Sequence, residues 1–196
     1  MKALLLVDVQ NDFVSGTLGS EWARKTAPRI IEYAKECRSN GFSIYATMDT
    51  HKDETYGMSL EGQKLPTKHC IVGTDGWRIV DGLVKDENGN VIVPQGHIVQ
   101  KRTFGSLDML GRFGHDFGNA DTNLGGNKET LEEIKICGFC TSICVISNAL
   151  ILRAFYPNVK ITIVENLCAD ISEESHVAAL AVAKNCHIDI ETVIQK

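Results

Sequence analysis

Three side chains in this sequence stand where a thiol can be turned into a nucleophile. Cys144 lies in Cys137-Gly138-Phe139-Cys140-Thr141-Ser142-Ile143-Cys144-Val145. An apolar run, Ile134-Lys135-Ile136, precedes this segment and reads as a buried strand. The segment Ile146 to Phe155 follows, with helical spacing and no breaker. Thr141 or Ser142 can cap that helix, which puts Cys144 in its first turn, at the carboxyl end of a strand. Helix-dipole charge and free backbone N–H groups at such a place lower a thiol pKa and hold an oxyanion. Asp8 ends the apolar run Lys2 to Val7, and Lys101 ends His97-Ile98-Val99-Gln100. In an open parallel sheet, residues at carboxyl strand ends line one crevice, so Asp8, Lys101 and Cys144 can meet. The carboxylate then accepts the thiol proton and the ammonium stabilises the thiolate. Each residue also has a plainer reading: a small core cysteine, a turn or capping aspartate, and a solvated strand-end lysine.

A second cluster has the chemistry of a metal site. The apolar strand Gly41 to Met48 ends in Asp49-Thr50-His51, and His69 follows in Leu65-Pro66-Thr67-Lys68-His69-Cys70. Asp-x-His puts two ligand-type side chains on one side of an extended segment. With a further histidine, the set suits a divalent transition ion, zinc first, with manganese or iron as alternatives. The plainer reading is surface or capping histidine.

The elements that must position these groups alternate strand and helix, which predicts a parallel sheet of about six strands covered by helices on both faces. A first helix runs from Glu21 to Arg38 and stops at Asn40-Gly41, with Pro28 in its first turn or marking its boundary. The turn Glu87-Asn88-Gly89-Asn90 is expected to close a small hairpin between Gly82-Leu83-Val84 and Val91-Ile92-Val93. Leu107, Met109, Leu110 and Phe113 have helical spacing, and an exposed loop is expected beyond them to Asn127. A fifth strand is expected over Asn158 to Glu165. Ser172-Glu173-Glu174-Ser175 resembles a capping signal that opens a helix to Lys184, and Ile188 to Val193 reads as the sixth strand.

The chain of 196 residues is long enough for one α/β domain with a full core. Its 43% hydrophobic and 23% charged content is globular, and the net charge of −5 gives no reason to expect nucleic-acid binding. No apolar stretch approaches membrane-spanning length, and the N-terminal apolar run is too short for a leader. Seven cysteines without a regular framework argue for reduced thiols, and a cytoplasmic location is expected. Cys140 could trap Cys144 as a disulfide under oxidation.

Asp8-x-Gln10-Asn11-Asp12-Phe13, Lys101 with Phe104 close behind, and Gly138-x-x-Thr141-x-x-Cys144-Val145 together resemble the isochorismatase-like cysteine hydrolases, from Met1 to about Ile190. The Asp49-x-His51…His69 pattern resembles the nicotinamidase branch of that superfamily. The resemblance implies a single Rossmann-like three-layer αβα domain over residues 1–196, with a doubly wound sheet. It implies hydrolysis of nicotinamide to nicotinate and ammonia through a thioester on Cys144, with Asp8 and Lys101 as catalytic partners. It also implies an oxyanion hole from the backbone N–H groups of Cys140 and Cys144, a cis peptide between Phe139 and Cys140, and ring contacts from Phe13 and Leu65. A metal beside the thiol would take Glu61 as a further ligand, with Glu54 as the alternative, and homo-oligomers are expected. The chain departs from the pattern in two places. Lys52 to Gly57 supplies no second histidine, and one extra residue separates Leu65 from His69. The superfamily leaves three alternatives: another small-amide or carbamoyl hydrolase, an isochorismatase, or a non-catalytic member that uses its thiols for sensing.

Overall fold

The computed structural model describes residues 1–118 and 131–194. Six strands form one sheet: β1 (Lys2–Val7), β2 (Phe42–Asp49), β3 (Ile98–Lys101), β4 (Glu133–Phe139), β5 (Lys160–Ala169) and β6 (Asp189–Glu191). Their order is β3-β2-β1-β4-β5-β6, and every pairing is parallel. The central strand β1 is buried from Ala3 to Val7, so its sequence is a continuous apolar run rather than an alternating one. Burying Leu4, Leu5 and Leu6 stabilises the sheet by roughly 1.5–3 kcal/mol per side chain.

Among the described residues seven α-helices accompany the strands: α1 (Asn11–Val14), α2 (Glu21–Ser39), α3 (Leu60–Lys64), α4 (Asp81–Val84), α5 (Leu107–Phe117), α6 (Ile146–Phe155) and α7 (Glu173–Asn185). Helix α2 packs across β2, β4 and β5, while α5, α6 and α7 pack side by side against the other part of the structure. The α/β architecture expected from the alternation is therefore present. The strand order reverses at β1, between β2 and β4, and in such sheets ligands bind outside the carboxyl ends at that switch point.

Three local expectations need correction. Pro28 lies well inside α2, as its eighth residue. It is exposed, so the carbonyl it leaves without an N–H partner faces water. The buried face formed by Ala23, Thr26, Ala27, Ile30, Tyr33, Ala34 and Cys37 holds the helix together around it. The segment Gly82–Val84 belongs to α4 instead of a hairpin strand; the hairpin is reduced to an antiparallel bridge, Lys85 to Val91, and to backbone bonds from the Ile92 N–H to Val84 O and from the Val93 N–H to Leu83 O around the turn closed by Asp86 and Asn90. Neither Thr141 nor Ser142 caps the helix after β4. A π-helical turn, Thr141–Val145, comes first and leads directly into α6. The loop expected up to Asn127 lies largely outside the described residues. The Gly41 stop (φ +80°), the Ser172 cap on Ser175 N–H, and helix α5 are as expected. Strand β5 runs four residues further than expected, to Ala169.

Candidate active site

Strand register brings the chemistry to one level of the sheet. Val7 pairs with Thr47 on one side and Gly138 on the other, and Asp49 pairs with Lys101. Gly138 (φ +130°) has no room for a Cβ, which would collide with the main chain of Val7. The chain leaves β1 through Asp8, whose φ of +50° turns the carboxylate inward, and leaves β4 through a cis Phe139–Cys140 peptide.

Asp8, Lys101 and Cys144 meet. Lys101 Nζ donates to Cys144 Sγ at 3.4 Å and lies 2.7 Å from Asp8 Oδ2 and 3.7 Å from Asp49 Oδ1. Asp8 is 0% exposed and Cys144 6%. The Asp8–Lys101 pair is a close ion pair at an angle poor for a hydrogen bond, so a lone pair on Oδ2 stays available for a proton. Thr47 Oγ1 donates to Asp8 Oδ1 at 2.7 Å and accepts the Asp8 N–H at 3.2 Å, which fixes the carboxylate. Burial pushes the Asp8 carboxyl up; Lys101 opposes this and Asp49 adds to it. Burial likewise holds the Cys144 thiol well above its ordinary value; Asp8 adds to this and Lys101 opposes it. Burial alone would pull Lys101 down, but Asp8, Cys144 and Asp49 outweigh it and keep the ammonium charged. Burial thus favours the neutral thiol at Cys144, and the Lys101 ammonium is the neighbour that favours its thiolate.

The second cluster also assembles. Ligand-type atoms of Asp49, His51, Glu61 and His69 all lie within 4.8 Å of one another. Asp49 Oδ2 is 3.0 Å from His51 Nε2 and 3.3 Å from His69 Nε2; the Glu61 oxygens lie 3.7 and 3.4 Å from the same two nitrogens. Glu54 is exposed and is not part of the cluster. His69 Nδ1 lies 3.1 Å from Thr67 O and 3.2 Å from Tyr56 Oη, so its Nε2 is the nitrogen turned inward. Burial tends to lower the His69 pKa, but hydrogen bonds to Asp49 and Glu61 overcome this and raise it to about 10. The Asp49 carboxyl, which burial would raise, is held well below its ordinary value by His51, His69 and Lys101. Two carboxylates converging on two imidazoles attract positive charge to their centre.

Several residues that hold the site were not singled out from sequence. Gln10 Nε2 donates to Asp49 O (2.9 Å) and Trp77 O (2.7 Å), and its Oε1 accepts the Asp49 N–H at 2.7 Å. Asp12 Oδ2 accepts the Cys70 N–H at 2.7 Å, next to His69. Tyr56 donates to Leu65 O at 2.7 Å, which anchors the His69 loop. Asn148 in α6 accepts the Ser106 N–H (3.0 Å) and donates to Phe104 O (3.1 Å) and Cys144 O (2.8 Å), tying the thiol helix to the segment after Lys101. The only available signal was that Gln10 and Asp12 fall inside the first motif.

Both clusters open onto one cavity of about 710 Å3. Phe13, Asp49, His51, Glu61, His69, Cys140 and Cys144 line its floor, with Leu65, Phe104 and Ile171 among its apolar walls. Phe13 is 8% exposed and meets the His69 ring edge-on at 5.7 Å, so it serves both core and cavity. Leu65 is 38% exposed and forms a looser wall than an aromatic ring would.

An isochorismatase domain model matches residues 2–195. The chain belongs to the isochorismatase family. Within that family it is 27% identical over 184 residues to an uncharacterised isochorismatase family protein of Bacillus subtilis, covering 92% of each chain. It is also 27% identical to a nicotinamidase of Schizosaccharomyces pombe, covering 96% of this chain and 91% of that one. The crystal structure of a pyrazinamidase of Pyrococcus horikoshii in complex with zinc superposes with a TM-score of 0.73 at 23% identity, covering 98% of this chain and 99% of that one. At that identity the superposition speaks for the fold. No helix among the described residues is long and apolar enough to cross a membrane.

Proposed function

We propose that this isochorismatase family member is a nicotinamidase-like cysteine amidohydrolase that converts nicotinamide to nicotinate and ammonia. The observation that carries the reading is the buried Asp8–Lys101–Cys144 contact set opening onto the same cavity as Asp49, His51, Glu61 and His69. The nicotinamidase among its relatives supports it.

In this reading Asp8 takes the Cys144 proton as sulfur attacks the amide carbonyl, and Lys101 balances the charge on the carboxylate and sulfur. The negative carbonyl oxygen is received by the backbone N–H groups of Cys140 and Cys144, each such donor contributing roughly 3–4 kcal/mol in comparable sites. Asp8 returns its proton to the leaving nitrogen and ammonia departs, leaving a thioester. Water, deprotonated by Asp8, attacks the thioester; the acid leaves and sulfur regains its proton. Phe13 and Leu65 flank the ring of the substrate.

The residues of the second cluster fit a divalent metal. Two buried imidazoles and two carboxylates are an N/O set suited to zinc, and the zinc in the Pyrococcus horikoshii structure agrees with that choice. Asp49, His51, Glu61 and His69 would hold the ion, which when bound supplies a Lewis acid beside the thiol for a pyridine nitrogen or a water.

A second reading, another small amide or carbamoyl compound as substrate, is favoured by one observation. The cavity is large for a single-ring amide and Leu65 leaves one wall half open. Ammonia release from nicotinamide by the zinc-loaded protein, with Cys144→Ala as blank, separates the two. Release that vanishes in the variant supports nicotinamide. A zinc-loaded wild type that releases none rejects nicotinamide and moves the substrate to another amide.

A further inference from the structure

We propose that Asp170 is a positioning residue for the thiol turn, holding the backbone from Cys140 to Cys144 so that its N–H groups face the oxyanion. The inference rests on the reading of Cys144 as a nucleophile. Pairing between β4 and β5 ends at Phe139 with Ala169, just where the thiol turn begins. Beyond that point no strand ladder holds the turn, and Asp170, the next residue after β5, takes over.

Asp170 is 5% exposed. Its Oδ2 accepts the Ser142 N–H at 2.8 Å, and its Oδ1 accepts the Ser142 hydroxyl at 2.9 Å and the Ile171 N–H at 2.8 Å. One carboxylate thus fixes both the main chain and the side chain of the residue midway between Cys140 and Cys144. Three donors converge on it, and a carboxylate, which only accepts, satisfies all three. An amide would turn its own N–H groups onto one of them. A second brace acts one residue earlier: Thr141 Oγ1 donates to Ala169 O at 3.3 Å and lies 2.8 Å from His176 Nδ1. Within the turn, the Ile143 and Val145 N–H groups both donate to Cys140 O, so a displacement of Ser142 is passed to the segment carrying the thiol. Asp170 does not line the cavity and is not among the contacts of Cys144 and Lys101, so it acts through Ser142.

Two reactions of the same thiol separate positioning from general support. Acylation by p-nitrophenyl acetate forms an S–C bond, builds an oxyanion and expels p-nitrophenolate, whereas alkylation by iodoacetamide displaces iodide and builds no oxyanion. Both are measured on the zinc-loaded full chain, with Cys144→Ala subtracted. In Asp170→Ala, acylation is expected to fall about 10- to 100-fold while alkylation stays within about threefold. Asp170→Asn, which keeps one acceptor oxygen, is expected to fall between Asp170→Ala and wild type. Parallel loss of both reactions would mean a merely structural role and overturn the proposal, as would acylation unchanged in both variants. If the alanine variant does not fold, the asparagine variant decides by the same ratio. A wild type without Cys144-dependent acylation overturns the nucleophile reading and this proposal with it. A wild type that acylates but releases no ammonia from nicotinamide overturns only the substrate, and the ratio still decides the role of Asp170.

Discussion

Two lysines in this molecule face a carboxylate with a thiol close by, and their surroundings differ. Lys101 sits with Asp8, Asp49 and Cys144 at the carboxyl ends of the strands. Lys135, in the body of β4, donates to Glu191 Oε1 at 2.6 Å and Tyr33 Oη at 3.1 Å under α2, with Cys37 beside Tyr33. Burial pushes up the thiol in both places, the Cys37 thiol to about 11. The Lys101 side chain is 1% exposed and its cluster opens onto the cavity. The Lys135 side chain is 17% exposed, its partner Glu191 28%, and none of these four residues lines the cavity. The ingredients are alike. In the proposed function, what separates the reactive centre from the structural pair is near-complete burial of the ion pair together with an opening through which a substrate reaches the sulfur.

The sharpest break between the two regions is expected from the thiols. Cys144→Ala should lower amide turnover by at least about 10^4-fold, whereas Cys37→Ala should leave it within about twofold. Comparable losses from both, measured by ammonia release on folded protein, would erase the distinction.

Removing the lysines comes next. Lys101→Met leaves Asp8 and Asp49 buried with no cation between them. It should cost about 3–5 kcal/mol of unfolding free energy and about 10^2- to 10^4-fold in turnover. Denaturant titration and initial rates read the two effects separately. Metal removal is expected to act on the same side of the molecule only. Chelation should lower the melting temperature, and zinc at about 1,000 times its dissociation constant should restore about 4 kcal/mol. His69→Ala protein that responds to zinc like the wild type would remove that cluster from consideration.

Lys135→Met should cost no more than about 1 kcal/mol, because a pair that keeps contact with water gains little from its Coulomb energy. Turnover should stay within about twofold of wild type. A large loss of activity would mean that the region under α2 communicates with the site.

How legible these two regions were in the sequence follows from the kind of contact that builds them. Asp8, Asp49 and Lys101 could be placed because each ends an apolar strand, and parallel strands deliver their carboxyl ends to one crevice. Cys144 could be placed because a strand and a breaker-free helix flank it. Glu61 came only through family resemblance, since nothing local marks a loop glutamate as facing His51 and His69. Gln10, Asp12, Thr47 and Asp170 were missed as supports. Their work is hydrogen bonding to groups 28 to 67 residues away, such as Asp12 to Cys70 N–H and Asp170 to Ser142 N–H, and periodicity carries no trace of that. Pro28 misled for the opposite reason. A local rule against proline inside a helix was outweighed by a long buried face, with the lost bond turned to solvent. The Lys135 cluster was equally invisible, because its partners come from α2 and the far end of the chain.

The smallest expected effect belongs to His176, which stands between the two cases. It is half-buried and braces Thr141 of the thiol turn at 2.8 Å, while its ring meets Trp22 edge-on at 5.1 Å. Burial lowers its pKa from the ordinary 6.5, with Asp170, Glu165 and Glu173 opposing in part. A depressed imidazole pKa means that the unfolded chain binds the proton more readily than the folded one. The stabilising contribution is therefore fully present above pH 6.5 and is lost as the pH falls through the lower folded value. Melting temperatures of wild type and His176→Asn between pH 5 and 8 should converge on the acid side. In the same window the ratio of initial rates of folded wild type and His176→Asn should stay within about twofold, because Asp170 still holds Ser142 when the His176 brace on Thr141 weakens. A larger change in that ratio would show that a half-buried group governs the thiol turn as strongly as Asp170 does, and the contrast between buried and half-buried clusters would need to be redrawn.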